Sequence, residues 1–339
     1  MADVFLQLSA DERREALEVA ASASGRPVHL LEKDIWVVWA LGALFGSALG
    51  SKLVFKGGTS LSKAYQVIRR FSEDVDLTYD IRALAPDLLG EAESVLPATR
   101  SAEKRWTSEI RKRLPQWVAE QALPLVAGRL AEEALSAEAK ADGEKIFIGY
   151  EATATGTGYV GPSVMLEFGA RSTGEPCAPF DIVCDAAEAI KGVDFPRATA
   201  RVMKAERTFW EKATAIHVYC AQHRLRGERF SRHWHDIVRL DEAGLVEVAI
   251  ADRDLAAAVA AHKTMFFAER DAARDPIDYM AAIGGGLVLV PDGAARDALA
   301  DDYRRMIEDG LLLEEAENFD LLMARCAEIA ARVNAAAGR

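Results

Sequence analysis

The sequence is poor in cysteine and has no long apolar run. Its four cysteines, Cys177, Cys184, Cys220 and Cys326, lack the paired C-x-x-C spacing of a zinc site. In a reducing compartment they are expected as thiols rather than bridges. No stretch approaches the roughly 20 uninterrupted apolar residues of a membrane span. The opening MADVFLQLSADERREAL turns charged too early for a signal peptide. Together these absences imply a cytoplasmic protein with no membrane partner. Histidine is also scarce: His217, His223, His233 and His235 offer no i, i+4 pair for a helical zinc site. Internal repeats and low-complexity tracts are missing as well.

What is present is a chain of 339 residues, half of them apolar, enough for one large or two modest domains. The net charge of −12 is unevenly spread. Residues 241–339 hold 20 acidic and 10 basic side chains, whereas residues 201–232 hold eight Lys or Arg against three Glu. A basic band in an acidic protein can steer a phosphate-bearing ligand, or it can be a solvated helix face.

Helical patterns dominate both ends and strand patterns the middle. LSADERREALEVAASASG has Ser9 and Glu12 as a capping box and stops at Gly25. LLEKDIWVVWALGALF predicts a second, strongly apolar helix, and KLVF (52–55) a short strand before Gly57 and Gly58. SLSKAYQVIRR has helical spacing, with Leu61, Ala64, Tyr65 and Ile68 on one face, and DVDLTYD alternates as a strand. Charged helices are expected over 101–140, successive strands over 145–172, and almost only helix beyond residue 206. IGGGLVLVP, with no helix after it, reads as a turn beside a short strand rather than a phosphate loop. The domain boundary falls near residue 200, giving an N-terminal part of 1–200 and a helical part of 201–339.

Chemistry concentrates in FKGGTSLSKAYQVIRRFSEDVDL, which packs Glu73, Asp74 and Asp76 into four positions. In a strand, Asp74 and Asp76 project from one face while Val75 and Leu77 enter the core. Two converging carboxylates repel unless a proton or a divalent cation lies between them, and magnesium suits hard oxygen ligands shared with substrate phosphate. Gly57 and Gly58 stand where a strand turns into a helix, so backbone N–H groups, with the hydroxyls of Thr59 and Ser60, can hold a phosphate. Each signal alone also fits an ordinary turn or a calcium-binding loop. In VMLEFG, Glu167 lies between Leu166 and Phe168 and so faces away from them. Beside Asp74 and Asp76 it completes a three-carboxylate cage; otherwise it is a Glu on the wet face of an antiparallel strand. Strand, Gly-Gly, helix, D-x-D strand and a later acid-bearing strand follow the order of the nucleotidyltransferase superfold. The expected class is therefore α+β, a nucleotidyltransferase-like mixed sheet flanked by helices and followed by the all-helical C-terminal domain.

KGGTSLSKAY with RFSEDVDL, LEFGARSTGEP, ERTFWEKATAIH and RFSRHWHDIVRL together resemble the AbiEii/AbiGii-type nucleotidyltransferase toxins, the toxin half of type IV toxin–antitoxin and abortive-infection modules. The resemblance runs from about residue 30 to about 240. It implies that Gly57, Gly58, Thr59 and Ser60 handle the triphosphate of an NTP and that Asp74 and Asp76 bind Mg2+. It implies further that Lys212 contacts nucleotide phosphate and that Asp236 serves the active site as a base or an orienting group. Read from the residues alone, Lys212 also fits a snorkelling helix residue, and Asp236 a salt bridge to Arg232 and Arg239 on its own helix. The implied acceptor is RNA, the tRNA 3′ end foremost, with Arg105, Arg111, Lys112 and Arg113 as further backbone contacts. A cognate antitoxin is the implied protein partner. The alternative is a nucleotidyltransferase for a small, antibiotic-like hydroxyl compound, which needs no broad basic surface.

Overall fold

A computed structural model describes residues 3–72, 74–89, 95–154, 161–224, 229–308, 310–312 and 315–337. Glu73 and residues 225–228 of the basic band therefore lie outside the described residues. The chain divides into two compact units, the first made of residues 1–64, 71–95 and 105–203, the second of 65–70, 96–104 and 204–339.

Among the described residues nine strands occur: β1 (Asp3–Val4), β2 (Leu53–Lys56), β3 (Val75–Tyr79), β4 (Ala137–Asp142), β5 (Lys145–Tyr150), β6 (Ser163–Gly169), β7 (Cys177–Val183), β8 (Val193–Asp194) and β9 (Arg197–Met203). Seven of them form one mixed sheet in the order β4-β5-β6-β3-β2-β9-β7, and β1 pairs with β8. The central strand β3 runs antiparallel to β2 and parallel to β6. Apolar residues alternate along the central strands, so Phe55, Val75, Leu77, Ile146, Leu166 and Phe168 share one buried face.

That face is covered by helices. Helix α1 (Ala10–Ser24) carries the expected Ser9/Glu12 capping box and ends on a left-handed Gly25. Helix α2 (Val28–Phe45) is apolar on nearly all sides and buried to match. It approaches β9 so closely that a Cβ on Gly42 would lie 2.7 Å from the Arg197 carbonyl. Trp117, at the end of the helix Arg100–Trp117, stacks on Tyr79 at 4.0 Å and meets Phe168 edge-on.

Two expectations about elements fail here. The helix predicted through 60–70 is only α3 (Gly57–Lys63); Gln66 takes a left-handed φ of 54°, and residues 65–70 join the second unit. The helical stretch expected to reach residue 140 stops at Glu132, because Ala137–Asp142 pairs with β5 through a turn at Gly143.

The second unit is built on seven helices among its described residues, from Ala205–Ala221 and Ser231–Glu242 to Phe319–Ala337. Trp210 and Trp234 are fully buried in it, and their indole N–H groups donate to Ala249 and Leu289 carbonyls. IGGGLVLVP forms a π-type turn over Ala282–Gly286 and then irregular backbone, without the expected strand. Among the described residues no helix is long and apolar enough to cross a membrane.

Candidate functional site

In the first unit the charged side chains collect on the sheet face opposite the core. Register pairs Lys56 with Asp76, Asp76 with Glu167, and Glu167 with Lys145. A row of lysine, aspartate, glutamate and lysine thus crosses four strands. Lys56 Nζ lies 4.0 Å from Asp76 Oδ1, and Lys145 Nζ lies 2.9 Å from Glu167 Oε2. The Lys145 ammonium is held above its ordinary range by its bond to Glu167, with Asp74 among the other acids acting on it.

The glycine turn meets this row. Gly57 follows β2 with φ 78°, and a Cβ placed on it would sit 2.1 Å from Asp76 Oδ2. Only a glycine accepts both the left-handed backbone and that approach. Asp74 immediately precedes β3 rather than lying within it. Its carbonyl accepts a 2.5 Å hydrogen bond from the Thr59 hydroxyl, which also lies 2.9 Å from Ser72 Oγ. The Ser60 hydroxyl donates to the Gly57 carbonyl at 2.9 Å. Thr59 and Ser60 are buried, so their hydroxyls, expected at phosphate, are instead turned into the fold.

Asp74, Asp76 and Glu167 therefore gather at one end of the sheet, but not as a finished cage. Among the described residues no group of three His, Cys, Asp or Glu side chains is drawn together as a metal site. The Glu167 carboxylate is already engaged by Lys145. Asp74 and Asp76, two residues apart at the start of β3, carry hard carboxylate oxygens of the kind that magnesium takes, with Lys56 also near Asp76.

Lys212 and Asp236 belong to the second unit, where they touch. Lys212 Nζ lies 2.9 Å from Asp236 Oδ2, and Arg70 grips both carboxylate oxygens of Asp236 at 2.7 and 2.8 Å. Of the arginines expected from helix spacing, Arg239 binds Glu242 and Glu317. Asp236 is fully buried. Burial alone would push its carboxyl up, but Arg70 and Lys212 overcome that and hold it well below the usual range. Beside it, burial and the Lys212 charge push the His233 imidazole down to about 3.

The sequence reading missed Lys56, Lys145 and Arg70. Strand parity signals the first two, because Lys56 precedes the glycine pair and Lys145 opens β5 on the side opposite Ile146. Of the proposed RNA contacts, Arg113 is paired with Asp87 and Glu109, and Lys112 with Glu109, whereas Arg105 and Arg111 are exposed.

The chain matches a family of nucleotidyltransferases over most of its length and is one of them. The chain belongs to the AbiEii family, nucleotidyl transferase toxins of type IV toxin–antitoxin systems, whose pattern matches residues 39–325. Among solved structures it is similar to the nucleotidyltransferase toxin MenT4 of Mycobacterium tuberculosis H37Rv, at 18% identity over 98% of each chain with a TM-score of 0.39. No curated protein matches the chain.

Proposed function

We propose that this toxin uses Mg2+ to transfer a nucleoside monophosphate from an NTP to an RNA hydroxyl, with the tRNA 3′ end as the leading acceptor. The observation that carries this reading is the seating of the Gly57 turn against the Asp76 carboxylate. It supports the reading because backbone N–H groups at such a turn can take a phosphate and a carboxylate beside it can take a cation.

Asp74 and Asp76 would hold the magnesium, which when bound supplies charge neutralisation at the triphosphate. Gly57, Gly58, Thr59 and Ser60 would meet the phosphates through backbone N–H groups, since both hydroxyls are bonded inward. Glu167 borders Asp76 as the third acid, with Lys145 fixing its orientation. In the second unit Lys212 is the phosphate contact. Asp236, ionised between two cations, is its anchor rather than a proton acceptor. The acceptor hydroxyl gives up its proton, through a neighbouring carboxylate such as Glu167 to solvent, as its oxygen bonds to the α-phosphorus and the bond to pyrophosphate breaks, and positioning with charge stabilisation accounts for the rate. Exposed Arg105 and Arg111, with the 201–232 band, are the proposed RNA backbone contacts. The cytoplasm is the proposed setting, and a cognate antitoxin the partner.

The test incubates purified protein and its Asp76→Ala variant with each labelled NTP and total RNA. Label entering RNA only with the wild type is the expected result. Label entering only small hydroxyl compounds would move the reading to an antibiotic-type transferase. No transfer to any acceptor would refute it.

A further inference from the structure

At the far end of α3 from the glycine turn lies a buried group of charges that the transfer chemistry does not use. Lys63, the last residue of α3, places its Nζ 2.6 Å from Asp34 Oδ1 and 2.6 Å from Asp185 Oδ1. The other oxygen of Asp34 accepts the Asp185 backbone N–H at 2.7 Å. The other oxygen of Asp185 is met by the Arg26 guanidinium. Lys63 and Asp34 are both buried. Burial pushes the Asp34 carboxyl up, and the Lys63 ammonium pulls against that push.

We propose that Lys63, Asp34 and Asp185 are positioning residues that set the Gly57 turn against Asp76 by fixing the opposite end of the same short helix. This rests on the nucleotide-binding reading of that turn. The physical case begins with length. Helix α3 has seven residues, and a helix that short does not hold its shape unaided. Its geometry must be imposed from its surroundings, and the chain beyond Lys63 turns away at the left-handed Gln66. Lys63 is thus the last point at which α3 can be held.

An apolar residue there would bury area but leave the helix free to slide or rotate by small steps. Two carboxylates around one ammonium give directional bonds from two other segments, α2 and the turn Asp185–Glu188, and so fix both. A cation in the last turn also suits the helix dipole. Midway along α3, the Thr59 hydroxyl holds the Asp74 carbonyl. One strut then spans from the buried charges, past Asp74, to the turn on Asp76. A shift of its anchored end is passed to both aspartates.

Two variants test this. Asp185→Asn alters a part-exposed carboxylate in a surface turn and leaves Lys63 its bond to Asp34, so it is expected to fold. Lys63→Met combined with Asp34→Asn removes both buried charges at once, so no unpaired ion is left in the interior. Each is measured by hydrogen exchange of the 58–63 amides in the free protein, by thermal melting, and by affinity for a non-hydrolysable NTP analogue with Mg2+. The expected result is exchange at 58–63 faster by about tenfold or more in the double variant, with β2 and β3 still protected. NTP affinity should weaken by about tenfold or more in the double variant and less in Asp185→Asn. Unchanged exchange in a folded double variant would overturn the proposal, as would faster exchange with unchanged NTP affinity. If the wild type binds no NTP, it is the nucleotide reading that fails, and exchange at 58–63 alone then decides the strut.

Discussion

Replacing Gly57 by alanine separates the two reasons that a glycine stands there. The first is backbone: φ is 78°, and a residue with a Cβ pays about 1–2 kcal/mol in that region. The second is contact. The new Cβ would lie 2.1 Å from Asp76 Oδ2, against 3.4 Å for ordinary van der Waals approach, so the carboxylate must retreat by 1.3 Å. A misplacement of about 1 Å in a reacting constellation can cost roughly 10²-fold in rate. Gly143→Ala is the matched control, because Gly143 has φ 58° with nothing within 4 Å of its added Cβ. Both variants should melt lower by similar amounts, about 2–4 °C for each kcal/mol in a chain of this size or somewhat smaller. Transfer of labelled nucleotide should fall about 10²-fold in Gly57→Ala and stay near wild type in Gly143→Ala. Equal activity in the two variants would show that Asp76 is not the group the turn serves.

Three further outcomes follow from the charges. Asp236→Asn leaves Arg70 and Lys212 buried without their shared counterion and should destabilise the fold by about 3–5 kcal/mol, read by denaturant melts. Because the folded Asp236 carboxyl is depressed, its contribution is complete above the unfolded value of about 3.9 and is lost as pH falls below it, so wild type and variant should converge there. His233 stays neutral in the fold down to about 3, while the unfolded imidazole takes a proton below about 6.5. Wild-type stability should therefore decline as pH falls through that window, and His233→Phe should flatten the slope. Chelation by EDTA should abolish transfer yet leave the melting temperature within about 2 °C, because Lys56 and Lys145 already flank Asp76 and Glu167 in the sheet.

Much of the sheet is legible in advance because its strands alternate. Val75, Asp76 and Leu77 can occupy a half-buried strand in only one register, and Glu167 between Leu166 and Phe168 repeats the pattern on β6. The meeting of Gly57 with Asp76 follows from the β2–β3 register, which sets Lys56, the residue before the turn, opposite Asp76. What fails to show is settled by distant partners. Leu61, Ala64, Tyr65 and Ile68 have helical spacing, yet Ile68 and Arg70 are buried in the other unit and the helix stops short of them. Ala137–Asp142 reads as helix from its Ala, Glu and Lys, and becomes a strand because β5 offers a ladder beside it. The hydroxyls of Thr59 and Ser60 look available until the helix turns them toward backbone carbonyls. Lys63 carries no local hint of its two carboxylates, one of them 122 residues away.

Asp236 illustrates why partner identity matters more than residue type. Sequence spacing offers it Arg232 and Arg239, and an exposed pair of that kind contributes only about 0.3–0.5 kcal/mol and leaves a carboxyl near its ordinary range. The fold gives it Arg70, 166 residues away, in a two-pronged contact, and Lys212 on a third bond, all out of water. A general base works best with a pKa near the working pH, and two buried cations drive this one far below it. The same contacts that make Asp236 a poor proton acceptor make it a firm anchor for Lys212. A lysine on a flexible four-carbon stem needs such an anchor if its charge is to meet a phosphate in one place.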